Sequence, residues 1–228
     1  MALFVPGCAL VVGIQDLGVA ESKDSEPPPP PPPPEAGPLE PRDAAVFDQY
    51  VPPDVDAGCT LKSKGPLVPS TSRDTGNGMG WNFPERGRKA DGEPTYILAI
   101  HGTTSKRILF GGFQVGLAPT DKVKGIVFEQ VARANEPLVY FDVSVQLTLP
   151  GEGPAGDDRP RSDPYPVDFD NRVFGGPTDL WGLDAKVTPA ALNSLEFGVS
   201  FVIRRKDTFK FDSAMGIDGL QMTVYYCE

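Results

Sequence analysis

Eight consecutive prolines, Pro27 to Pro34, restrict the fold of this chain more than any other feature. Each proline holds φ near about −65° and removes a backbone donor, so neither a helix nor an interior strand can run through them. The run is expected to be polyproline II, whose rise of about 3.1 Å per residue makes a stiff spacer of roughly 25 Å. Fifteen of the 26 prolines lie within residues 1–69, which predicts an extended Pro-rich N-terminal arm over 1–69 and a folded domain over 70–228. The acids Glu21, Asp24, Glu26, Glu35 and Glu40 keep the spacer solvated.

Ahead of the spacer, Phe4 to Ile14 is the part of the arm with strand-like apolar content. One reading is an anchor on another subunit, with Phe4, Val5, Leu10, Val11, Val12 and Ile14 adding a strand to an open sheet edge or filling an apolar groove. The other is a strand of the protein's own sheet. The anchor is favoured, because only a segment bound elsewhere needs a rigid spacer. The proline run also suits aromatic-lined peptide-binding modules, but no other signalling feature accompanies it. A second stretch, Ala44 to Leu67, has too little apolar area to fold alone and is expected to lie extended on a neighbouring surface.

Charge and composition narrow the function. With 21 Lys and Arg against 31 Asp and Glu, the 228-residue chain has a net charge of −10, which repels nucleic acid and anionic lipid. The 26 prolines and 25 glycines exclude a helical bundle, and no apolar stretch approaches the roughly 20 residues of a membrane span, so no membrane insertion is expected. The opening MALFVPGCALVVGI has no basic residue before its apolar run and is not read as a signal peptide. A single histidine, His101, and three widely spaced cysteines, Cys8, Cys59 and Cys227, form no metal or nucleophile arrangement, so no cofactor is expected. Three independent thiols are the expectation, with a Cys8–Cys59 bridge as the alternative.

After residue 70 the pattern changes to short β-branched runs separated by Gly, Pro, Asn and Asp, which predicts an all-β antiparallel sandwich. Strands are expected at Thr95 to Ile100, Arg107 to Val115, Val123 to Arg133, Val139 to Leu149, Arg172 to Phe174, Phe197 to Arg204 and Gly219 to Tyr226. Within Tyr140 to Leu149, strict alternation puts Phe141, Val143, Val145, Leu147 and Leu149 inward and Asp142, Ser144, Gln146 and Thr148 outward. Phe197, Val199, Phe201 and Ile203 repeat that period, as do Leu220, Met222, Val224 and Tyr226. Thr188-Pro189-Ala190-Ala191-Leu192-Asn193 predicts one or two helical turns, with Thr188 as cap and Pro189 in first position.

Several segments occur in an order that resembles a β-sandwich module of tailed-phage and prophage virion structural proteins. They are Trp81-Asn82-Phe83-Pro84, Ala90-Asp91-Gly92, Gly112-Phe113-Gln114-Val115, Lys124-Gly125-Ile126, Gly175-Gly176-Pro177-Thr178-Asp179-Leu180-Trp181-Gly182, Thr188-Pro189-Ala190 with Asn193, Glu196-Phe197-Gly198-Val199 and Met222-Thr223-Val224-Tyr225-Tyr226. The resemblance implies a jelly-roll-like fold, a virion location after assembly in the host cytoplasm, other virion subunits as partners (capsid, tail or baseplate), homo-oligomers, and no catalytic residues. The Pro-spaced arm and the long charged loop Glu152 to Phe169 depart from the module and mark where a specific role would lie.

The remaining candidates are weighed residue by residue. Trp181 beside Asp179, with Tyr165, is either a plug closing one end of the sandwich or a sugar-stacking platform, in which case the module is a glycan- or receptor-binding adhesin for a host-surface glycan. The plug is favoured, because Leu180 and Leu183 beside it are apolar. Asp157, Asp158, Asp163, Asp168, Asp170 and Asn171 carry oxygen donors that suit a hard cation, but their spacing follows no known loop and Arg159 and Arg161 offset the charge, which favours a solvated loop. His101 with Ser105 reads as a turn rather than a hydrolytic pair. Arg86-Gly87-Arg88-Lys89 and Arg204-Arg205-Lys206 read as contacts to acidic neighbours or as solubilising turns.

Overall fold

The computed structural model describes residues 59–99, 102–206 and 213–228. The proline run and the anchor residues Phe4, Val5, Leu10, Val11, Val12 and Ile14 lie outside the described residues, as does the choice between anchor and own-sheet strand.

The described chain is an all-β sandwich. Its strands are β1 (Lys62–Leu67), β2 (Thr71–Thr75), β3 (Thr95–Ala99), β4 (Arg107–Gly111), β5 (Lys122–Ala134), β6 (Tyr140–Leu149), β7 (Gly153–Ala155), β8 (Asp170–Gly176), β9 (Gly198–Arg205) and β10 (Ser213–Cys227). One sheet runs β1-β10-β5-β8, with β3 also paired to β10; the other runs β2-β4-β9-β6-β7. Every pairing between these strands is antiparallel. Without β2 and β3, the orders 1-10-5-8 and 4-9-6-7 are the two interleaved Greek keys of a jelly roll.

The core forms where the two inner faces meet. Ile126 and Phe128 of β5, Leu220, Met222 and Val224 of β10, and Phe174 of β8 face Ile108 and Phe110 of β4, Val145 and Leu147 of β6, and Val199, Phe201 and Ile203 of β9. The rings of Phe174 and Phe201 meet edge-on across the sheets at 5.6 Å between centroids, and Phe110 flanks Phe201 at 6.3 Å. Such edge-to-face pairs add roughly 0.5–1.5 kcal/mol each beyond area burial. Gly198 follows from this packing: a Cβ there would overlap the Phe110 carbonyl oxygen.

One short helix, α1 (Pro189–Leu192), forms where Thr188 caps it, its hydroxyl oxygen accepting from Ala191 N at 3.2 Å. The next residue, Asn193, pairs its side-chain amide with both main-chain groups of Leu117 at 3.1 and 3.0 Å, fastening the helix to the loop before β5.

Two expectations are corrected. The register against β9 shifts between Asp142 and Ser144, a bulge that breaks strict alternation along β6. Val145 and Leu147 point inward as expected, but Val143 is 44% exposed and Phe141 half-exposed, while Tyr140 and the Asp142 carboxyl turn inside. The arm boundary also moves. Lys62–Leu67, expected to lie on a neighbour, is an edge strand of the first sheet, so the sandwich begins before residue 70.

The bulge makes a direct prediction. Val143→Asp should change stability by no more than about 0.5 kcal/mol, whereas Val145→Asp, which buries an unpaired charge, should cost more than about 4 kcal/mol or prevent folding. Urea denaturation of the two variants checks it; equal sensitivity would restore strict alternation.

Candidate attachment site

The first described residue is held in a clamp. Cys59, three residues before β1, is disulfide-bonded to Cys227 at the end of β10 across a sequence separation of 168. This corrects the expectation of three separate thiols and of Cys8 as the alternative partner of Cys59. Beside the disulfide, Lys62 Nζ pairs with the Glu228 carboxylate, and that hydrogen bond raises the Lys62 pKa above its ordinary value. Both groups are largely exposed, so this pair fixes geometry more than it stabilises. Lys64 Nζ donates to Gly116 O at 3.0 Å. Gly65, at φ 149°, passes so close to β10 that a Cβ would lie 2.7 Å from Met222 O.

The mechanical consequence follows from sheet order. β1 is an edge strand, held by β10 alone and irregular between Lys64 and Leu67, and would peel under load. The disulfide delivers a pull on the chain before Cys59 to β10 instead, which β5 grips from Met215 to Cys227.

Of the two readings of Trp181, the favoured plug and the alternative ligand platform, the burial of the ring fits the plug. Trp181 is fully buried and Tyr165 is 1% exposed, so neither ring offers a face to a sugar. Trp181 packs edge-on against Phe128 at 6.0 Å, its indole N–H donates to Ile126 O at 3.3 Å, and Arg159 covers its other side at 5.3 Å. Asp179 is occupied: it accepts from Trp181 N at 2.8 Å and pairs with Arg159 at 2.6 Å. The glycines around the tryptophan follow from this plug. Gly175 (φ 83°) passes Ile126 O, where a Cβ would overlap, and a Cβ at Gly125 would strike Pro177. Lys124-Gly125-Ile126 and Gly175 to Gly182 are therefore two halves of one contact.

Tyr165 belongs to a buried polar node that joins the sheets. Arg172 of β8 and Asp142 of β6, with side chains 3% and 0% exposed, pair at 3.0 Å. The Tyr165 hydroxyl donates to Asp142 Oδ1 at 2.6 Å, and the Arg172 guanidinium lies 4.2 Å from the centre of its ring. Arg172 also reaches Asp163 Oδ2 and Pro164 O, both at 3.1 Å. Burial pushes the Tyr165 hydroxyl well above its usual pKa, with the adjacent Asp142 charge acting in the same direction. Asp163 is held below its ordinary carboxylate range, first by its hydrogen bond with Arg161.

The other candidates are absorbed in the same way. In the acidic loop, Asp157 pairs with Arg159, Asp158 accepts from Val145 N at 2.7 Å, and Asp163 pairs with Arg161 and Arg172. Among the described residues no three His, Cys, Asp or Glu side chains are placed to hold a metal ion. His101 lies outside the described residues; Ser105 is buried, its hydroxyl oxygen accepting from Ile203 N at 3.0 Å. The basic clusters fold back on the body: Arg86 pairs with Glu93, Arg88 donates to Ser70 O, and fully buried Arg205 donates to Ala99 O. Arg205 thus corrects the reading of its cluster as a solubilising turn.

Comparison with known proteins adds little. No family model and no curated protein matches this chain. A solved structure described as "CBM4 structure and function" aligns over 74% of this chain and 94% of that chain, at 10% identity and a TM-score of 0.32.

Two elements escaped sequence reading. The clamp hid behind an odd cysteine count, although Cys227 directly follows an evident strand and Cys59 lies just before the folded region. The Arg172–Asp142 pair left one trace, a charge within each of two strand-like runs.

Arg172→Met should leave Asp142 buried and unpaired, costing about 3–5 kcal/mol, and Tyr165→Phe should cost about 1–3 kcal/mol, both read by urea denaturation. Because the folded state raises the Tyr165 pKa, its contribution is complete below about pH 10, the unfolded value, and falls as pH rises from there toward the folded pKa. Tyr165→Phe should therefore flatten the alkaline limb of the stability profile; an unchanged limb would refute the assignment. Cys59→Ser should lose up to about 5 kcal/mol by loop-closure entropy, and reducing agent should have no further effect on that variant.

Proposed function

We propose that this protein is a non-enzymatic structural component of a tailed-phage virion, a jelly-roll body docked to other virion subunits through its N-terminal arm. The observation that carries the reading is the covalent clamp between Cys59, where the arm ends, and β10, the strand at the middle of its sheet. An anchoring arm needs its load carried into the fold's interior, and an edge strand alone does not supply that. The resemblance of eight ordered segments to the virion module supports the same reading. The packing reasons found for Gly125, Gly175, Trp181 and Gly198 support a role for that shared pattern in maintaining the fold.

Placement at the tail tip or baseplate, or as a head decoration or fibre, fits this role, the former favoured because such modules commonly sit on appendages, with self-association covering exposed edges such as β2. A thiol pair made in reducing host cytoplasm stays open there, so in this reading the clamp closes once the particle meets oxidising surroundings.

The test is incorporation. A chain lacking residues 1–43, produced during particle assembly, should be folded and soluble yet absent from purified virions. Incorporation at the full-length level would overturn docking through the arm.

A further inference from the structure

At the end of β10 away from the clamp, cross-strand register cuts a trough into the outer face of the first sheet. Gly216 sits opposite Tyr96 of β3 on one side and Arg133 of β5 on the other. In the next row Ala214 lies opposite Leu98, and its amide donates to Asn135 Oδ1 at 2.8 Å. Ala214 and the Pro94 ring, which lies over buried Gly216, floor a channel walled by Tyr96 and Arg133, and the cavity measures about 450 Å³, within the range of about 300–1,000 Å³ typical of small-molecule sites.

Both principal walls are braced from behind. The Tyr96 ring leans on Phe83 at 6.2 Å between centroids, and Phe83 carries the Arg86 guanidinium at 4.4 Å. Arg133 is exposed, and its guanidinium lies over the Phe169 ring at 4.4 Å. Contact with the ring steadies this exposed guanidinium, and a guanidinium can receive a carboxylate in bidentate fashion.

The backbone decides what kind of ligand fits. β10 at this level is hydrogen-bonded to β3 on one side and β5 on the other, so the floor has no free edge on which a peptide can add a strand. Recognition falls to side chains: an aromatic wall, a low apolar floor of Pro94 and Ala214, and a planar cation. A pyranose ring lying along Tyr96 with a carboxylate directed at Arg133 satisfies all three. We propose that this trough binds an acidic saccharide, a uronate or sialate residue, through Tyr96 and Arg133. Gly216 and Tyr226 are ten residues apart on β10, about 33 Å at 3.3 Å per residue, so the trough lies well away from the clamp.

Full-length protein titrated with methyl glucuronide, methyl galacturonide and the methyl glycoside of N-acetylneuraminic acid, followed by amide chemical shifts, tests the proposal. At least one should bind, methyl glucoside should bind at least tenfold more weakly, and Tyr96→Ala and Arg133→Gln should each weaken binding at least tenfold with the rest of the spectrum intact. Arg73→Gln, an exposed arginine of the other sheet, should leave affinity unchanged. No binding by any acidic sugar, equal binding of the neutral one, or insensitivity to Tyr96 and Arg133 would each overturn it. So would binding by a short peptide with a free carboxyl terminus when the sugars do not bind, or an equal loss from Arg73→Gln.

Discussion

Strand β10 is the constraint from which the rest of the body follows. It pairs with β5 from Met215 to Cys227 on one side, and its other side is shared end to end by β3 and β1. A strand so fully paired cannot shift register without breaking three ladders at once, and its inward Met215, Ile217, Leu220, Met222 and Val224 set the depth of the core. The parity change between Ile217 and Gly219 is held by Asp218, whose carboxylate accepts from Gly92 N at 3.0 and 3.2 Å. Gly219 is required there, because a Cβ would meet Ala90 N at 2.5 Å. The Ala90-Asp91-Gly92 turn is thus part of the register of a strand more than a hundred residues away.

Two unlike junctions hold the second sheet against the first. The aromatic one, Phe128, Trp181, Phe174 and Phe201, is apolar and close-packed, so even small changes of volume there are felt. The polar one, Arg172, Asp142 and Tyr165, is more exacting, because each buried group depends on the others for its hydrogen bonds. An ion pair of this kind contributes little net stability relative to an apolar filling, and its physical effect is to make one alignment of β6 against β8 much better than its neighbours.

The sequence made the fold class and most strands legible because period-2 runs bounded by turn residues survive in plain view, as at Val199 to Ile203. Thr188 and Pro189 likewise announced α1, since capping is local chemistry. The bulge in β6 was hidden, because a one-residue insertion leaves no mark on composition: Val143 keeps its apolar character although it faces water, and Asp142 keeps its charge although its carboxyl does not. β1 and β2 were missed for a related reason, being edge strands with sequences KSKGPL and TSRDT that only pairing makes extended. The tryptophan motif was visible but ambiguous, since a ring that seals a sandwich and a ring that stacks on a sugar share the same letters. The trough was invisible, because Tyr96, Gly216 and Arg133 meet only after three strands align.

The Cys59–Cys227 bond also turns the whole body into a single covalent loop. A protease that severs one peptide bond in any surface turn between those positions leaves two pieces still joined, with both remaining strands of every ladder in place to re-form. Such a closed ring makes an isolated nick survivable.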